Sequence, residues 1–106
     1  MLALGRCQLW LYSKPTDMRK SFNGLVALVR NQLRQDPVSG HLFVFVNRRK
    51  TLLKALYWEK DGYCIWHKRL EVGQFNVSGE DRQLNQTEFQ ALLDGIKIKT
   101  LRQYKR

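Results

Sequence analysis

The sharpest chemical signal in this chain is Asn47-Arg48-Arg49-Lys50, followed shortly by Lys54. Arginine offers a planar two-pronged donor and lysine a mobile point charge, a combination suited to phosphate oxygens. The run falls between two strand-like stretches, where connecting segments are exposed and commonly carry function. Lys68-Arg69, at the end of a hairpin pattern, and Arg19-Lys20, at the start of an amphipathic stretch, add further cations. Arg48, Arg49, Lys50, Lys54, Lys68, Arg69, Arg19 and Lys20 are therefore the candidate contacts to an anionic partner. Each has a plainer explanation: charged turns keep strand edges from aggregating, and lysines and arginines routinely furnish the wet face of a helix.

No catalytic set accompanies these cations. The chain has two histidines, His41 and His67, and neither a Gly-x-Ser-x-Gly elbow nor a glycine-rich phosphate loop. Cys7, Cys64, His41 and His67 could ligate zinc by type, but they lack close paired spacing, and Cys64 and His67 would face opposite sides of a strand. Asp17, Asp36, Asp61 and Asp94 sit in turns or helix ends and do not suggest a two-metal nuclease centre. The reading is a non-enzyme with no metal and no cofactor. Trp58, Trp66, Tyr57 and Tyr63 could stack on unpaired bases, although hairpin aromatics more often serve the core.

Charge is the unusual global property: nineteen Lys and Arg against nine Asp and Glu give a formal +10 over 106 residues. Such an excess attracts polyanions, either nucleic acid or an acidic membrane surface. Two distant cysteines without framework spacing suit a reducing cytoplasm. The run Met1-Leu2-Ala3-Leu4 is cut by Gly5 and Arg6, too short for a signal peptide. No apolar run approaches the roughly 20 residues that a bilayer helix needs, so no membrane partner is expected.

The elements that must position the cations follow from periodicity. Cys7 to Ser13 reads as a strand with Leu9 and Leu11 on one face and Trp10 and Tyr12 on the other. A helix capped by Thr16 or Asp17 is predicted from the stripe Met18, Phe22, Leu25, Val26, Val29 and Leu33, with Arg30 and Arg34 near its C-terminal end. Asp36-Pro37-Val38-Ser39-Gly40 ends it. Leu42-Phe43-Val44-Phe45-Val46 reads as a central strand. Thr51 to Glu59 and Tyr63 to Leu70 flank the turn Asp61-Gly62, with Trp58 opposite Ile65 and Tyr57 opposite Trp66. Glu71 to Arg82 reads as a polar loop. A second helix begins at a Thr87–Gln90 capping box, carries Phe89, Leu92, Leu93 and Ile96, and stops at Gly95. The expectation is one α+β domain over 1–106, with a mostly antiparallel sheet of about four strands, two helices in the order β-α-β-β-β-α, and a basic tail over 97–106.

Read in order, the blocks Thr16-Asp17-Met18-Arg19-Lys20-Ser21-Phe22-Asn23-Gly24-Leu25, Asp36 to Phe45, Asn47-Arg48-Arg49-Lys50 and Lys54-Ala55-Leu56-Tyr57-Trp58 form a series. Asp61-Gly62-Tyr63, Lys68-Arg69-Leu70-Glu71 with Gly73 and Phe75, and Leu92-Leu93-Asp94-Gly95-Ile96 continue it. Together they resemble the TnpB accessory proteins encoded by the second reading frame of the insertion sequence 66 family. The resemblance implies a bacterial cytoplasmic protein that works with two other element-encoded proteins, one of them the transposase that carries the carboxylate chemistry. It implies DNA binding or assembly with the transposase, and it matches the basic motifs Met18-Arg19-Lys20, Arg48-Arg49 and Lys68-Arg69. The chain departs from the family pattern at Ser21, at Asn23 and around Asn76. Two functions follow as expectations: a DNA-binding transposition factor, or a module that docks on the transposase with little DNA contact, using an apolar patch around Trp58 and Trp66.

Overall fold

In the computed structural model, residues 7–95 are described; the run Met1–Leu4, Ile96 and the basic segment 97–106 lie outside them. The elements are β1 (Leu9–Tyr12), α1 (Phe22–Asn31), β2 (Leu42–Val46), β3 (Leu52–Glu59), β4 (Gly62–Arg69), β5 (Arg82–Leu84) and α2 (Gln86–Asp94). They build one five-stranded sheet in the order β4-β3-β2-β1-β5. β1 and β2 are parallel because α1 carries the chain back between them, and every other neighbouring pair is antiparallel. The α+β architecture read from the sequence is present, with a strand added at the edge.

β2 lies at the centre and is buried along its whole length, as its unbroken apolar run requires. Its alternating residues divide the core in two. Phe43 and Phe45, with Tyr12 and Leu56, pack under Leu25, Val26, Val29 and Leu33 of the α1 region. Val44 and Val46, with Leu9, Leu11, Leu53 and Ala55, pack under Phe89 and Leu92 of α2 and under Phe75 and Val77. The two-faced reading of β1 holds: Leu9 and Leu11 join the α2 side, Trp10 and Tyr12 the α1 side.

Four local expectations need correction. The first helix begins at Phe22, not near Thr16, and Ser21 ahead of it makes no side-chain cap. The carbonyls of Met18 and Lys20, which a helix would have used, instead accept from the Lys54 ammonium at 2.8 Å each. Met18 still reaches the α1-side core, but Phe22 is exposed. Arg34 lies beyond the helix with φ at 57°, so only Arg30 stands in the last turn.

The hairpin turn is Lys60-Asp61, one residue earlier than expected. Lys60 takes the left-handed position at φ 60°, and Glu59 faces Gly62. Trp58 therefore opposes Tyr63 and Tyr57 opposes Cys64. An edge-on contact of Trp58 with Tyr63, ring centres 5.0 Å apart, favours this register.

Glu71 to Arg82 is not simply a polar loop. Phe75 is fully buried, Val77 nearly so, and the chain then forms β5 against β1. Finally, α2 starts two residues earlier than Thr87 would set it. Asn85 caps it reciprocally with Glu88, each side chain accepting from the other's backbone N–H, while Gln90 donates to Asp94.

Candidate nucleic-acid interface

The β2–β3 turn is held by its own asparagine. Asn47 Oδ1 accepts from the amides of Thr51 (2.9 Å) and Leu52 (3.0 Å), and its carbonyl accepts from the Lys50 amide. Lys50 closes the turn in the left-handed region, at φ 60°. Gln74 donates to the Arg49 carbonyl, so the turn is tied from outside as well. The consequence is that Arg48 and Arg49 stand on a fixed backbone with exposed side chains.

Two further segments meet this turn. After β1, Thr16 is buried and its amide donates to Val46, which brings residues 14–20 alongside the end of β2. At the end of β4, the Leu70 amide donates to Thr51 and Arg69 faces Leu52. All eight sequence-predicted residues thus collect at one end of the sheet. Lys14, not among the sequence candidates, is a ninth cation there, lying over the Tyr12 ring at 5.9 Å. Pro15, Thr16, Asp17, Met18, Asn47, Arg48, Arg49 and Leu52 line an open depression of about 510 Å³ between the two turns.

The eight cations are not equivalent. Lys54, on the α1 side, spends its ammonium on the carbonyls of Met18 and Lys20 and so braces the 14–20 segment. Lys50 reaches the Val77 carbonyl at 2.9 Å and braces the segment on the other face. Arg19 forms an ion pair with Asp17, and Arg69 pairs with Glu71 at 2.8 Å. Both pairs are well exposed, so screening keeps their net worth small. The Arg19 guanidinium and amide beside it hold the Asp17 carboxyl at about 2, below the usual range, and the Arg19 pKa is raised in return. His67, which faces Lys54, is pushed down by partial burial and by the Lys54 charge. Arg48, Arg49, Lys20 and Lys68 belong to neither ion pair of the described residues. Lys68 and Arg69, adjacent in sequence, point to opposite faces because strand side chains alternate.

Sequence reasoning grouped these cations by charge and could not separate braces from free donors. The distinction depends on which carbonyls lie opposite, and that is set by long-range pairing. The role of Asn47 was legible in principle, since asparagine commonly bonds backbone two or more residues ahead. Among the described residues no three His, Cys, Asp or Glu side chains gather as a metal site. Neither helix there is long and apolar enough to cross a membrane.

Fold and site together define a small α+β domain that presents arginine and lysine donors on a braced sheet end. Comparison with known proteins adds what geometry alone does not. The chain matches the family described as IS66 Orf2 like protein over residues 7–103. It is 35% identical over 92 residues to the uncharacterized protein y4jC of Sinorhizobium fredii, covering 84% of this chain and 79% of that protein. A second protein of that organism, the uncharacterized y4hO, is 34% identical over 92 residues, covering 84% and 80%. No solved structure matches. The chain belongs to the IS66 Orf2-like family, the accessory proteins associated with transposition of such elements.

Proposed function

We propose that this chain is a non-catalytic accessory protein that binds DNA electrostatically through the cationic end of its sheet and assists its element's transposase in the bacterial cytoplasm. One observation carries the reading. Segments 14–20, 47–50 and 68–69, distant in sequence, converge at one end of the sheet, with Arg48 and Arg49 exposed on a turn that Asn47 and Gln74 hold rigid. Binding by donors on a rigid turn suits phosphate oxygens. The two described helices turn their apolar stripes to the sheet. Phosphate contacts position a protein on DNA without specifying sequence, so this end supplies affinity and little discrimination.

The alternative is a module that docks on the transposase with little direct DNA contact. A single patch made by Trp58 and Trp66 together does not suit it, since their register sets them on opposite faces of the hairpin, opposite Tyr63 and Ala55.

The test is a titration of duplex DNA, element end and unrelated sequence, at two salt concentrations. Contacts from Arg48, Arg49, Lys20 and Lys68 would cost about two decades of affinity between about 50 and 200 mM salt. The double variant Arg48→Ala/Arg49→Ala should weaken binding to both duplexes about 30-fold near physiological salt and lower the salt slope by about 1.8. Lys50 is left in place because it ties down Val77. An unchanged slope in that variant would remove these residues from the interface.

A further inference from the structure

β4 is the outer strand of the sheet, and among the described residues nothing pairs with its far edge. The Leu70 amide bonds the Thr51 carbonyl, which fixes the alternation along the hairpin. Every second pair from there exchanges hydrogen bonds with β3, so the backbone groups of Tyr63, Ile65, His67 and Arg69 point outward. β2 supports β3 only from Leu53 to Leu56, so the hairpin continues as a bare two-stranded ribbon from Tyr57 to Cys64. A ribbon of two strands is marginal by itself in water.

Natural edges are blunted by proline, bulges, brevity or charge. β4 has eight residues in unbroken register, and its stretch Gly62-Tyr63-Cys64-Ile65-Trp66-His67 contains no proline, lysine, arginine or acid. Tyr63, Cys64, Ile65 and Trp66 are each half-buried. The two ends of this edge have opposite character. Glu59 and Asp61 flank Lys60 at the turn, and Lys68-Arg69 close the strand. The acidic flanks make the ribbon a poor guest for DNA and a good partner for a cationic strand end, which this chain itself provides.

We propose that β4 pairs antiparallel with β4 of a second copy across a two-fold axis at Ile65, joining two five-stranded sheets into one continuous sheet. Any two-fold antiparallel pairing sets odd-numbered residues against odd-numbered ones, so the outward backbone groups match. Charge selects the register. With the axis at Ile65, Tyr63 faces His67 of the second copy, and Asp61 in the turn lies next in line to its Arg69. Moving the axis to Cys64 would instead bring the turn residue Lys60 towards Lys68 of the second copy, a like-charge approach. The isologous contact closes on itself and leaves no unpaired β4 edge.

Sedimentation over a concentration series tests this on the full chain. The wild type should show a monomer–dimer equilibrium. Ile65→Pro removes an outward N–H that β3 does not use, so it should give a folded monomer. Asp61→Arg, which leaves β4 itself intact, should weaken the dimer about tenfold, and adding Arg69→Asp should restore it. In a Cys7→Ser/Cys64→Ser background, Ile65→Cys should form a covalent dimer on mild oxidation, because an opposed hydrogen-bonded pair brings Cα atoms to about 5.5 Å. A chain that is monomeric at every concentration up to its solubility limit overturns the proposal. So does a dimer indifferent to Asp61→Arg, or a monomer whose outward β4 amides resist hydrogen exchange, which would give the edge to another part of the same chain.

Discussion

At the end of the β3–β4 hairpin that starts from Thr51, segments from four parts of the chain are tied together by hydrogen bonds to Val46, Thr51, Arg49, Lys50 and Lys54. Beyond Leu56, the same two strands pair only with each other, although Tyr57 and Tyr63 still pack against the edges of the two cores. The braced end gathers cations and the bare end gathers aromatics between acidic flanks. The contrast shows how one hairpin serves two kinds of surface. Long-range bracing fixes charged donors that would otherwise lose side-chain and loop entropy on meeting an anion. Backbone groups left outward at the other end can be satisfied by pairing.

Four changes would break or sharpen that contrast. The largest effect is expected for Phe75→Ala, which empties a fully buried position beneath the braced end and should cost about 3–5 kcal/mol in denaturant unfolding. Because Phe75 also donates its amide to Lys50, the loss should loosen the 47–50 turn before the hairpin tip in hydrogen exchange. Lys54→Met should cost about 2 kcal/mol, the range for losing hydrogen bonds to a charged group. Its DNA salt slope should stay at the wild-type value, since the ammonium is spent internally; a slope lower by about one would make Lys54 a direct contact. At the bare end, Trp58→Ala should cost about 1 kcal/mol through the lost Tyr63 contact and leave DNA affinity unchanged.

The smallest effect is a pH dependence of the 17–20 turn. Asp17 has a folded-state pKa of about 2, below its ordinary value of 3.8. Its contribution is therefore fully present above that ordinary value and lost as pH falls through about 2. The Arg19 amide, bonded to the carboxylate at 2.9 Å, should report this in an NMR titration. A midpoint near the ordinary value would mean that the pair does not form in solution.

Much of the architecture was legible because its signals are local. The apolar run of β2, the alternation in β1 and the stripe Leu25, Val26, Val29, Leu33 each name their own element. What escaped was decided across the chain. β5 is three residues long with two of them polar, so only its pairing with β1 makes it a strand. The late start of α1 depends on Lys54, more than thirty residues away, drawing off two carbonyls. The hairpin turn sits one residue earlier because Lys60 takes the left-handed conformation that residue type alone assigns to Gly62. For the site, the basic run between two strand-like stretches was legible from residue types, and it stands at the β2–β3 turn. Which cations are committed internally could be read only from their partners.

The division between a DNA-facing end and a bare ribbon is tested most directly by residue-resolved NMR of the labelled chain as duplex DNA is added. The account predicts shift changes concentrated at Lys20, Arg48, Arg49 and Lys68 and at their neighbours around the depression, with Tyr57 to Cys64 unmoved. Perturbation centred on Tyr57 to Cys64, with Arg48 and Arg49 silent, would contradict it.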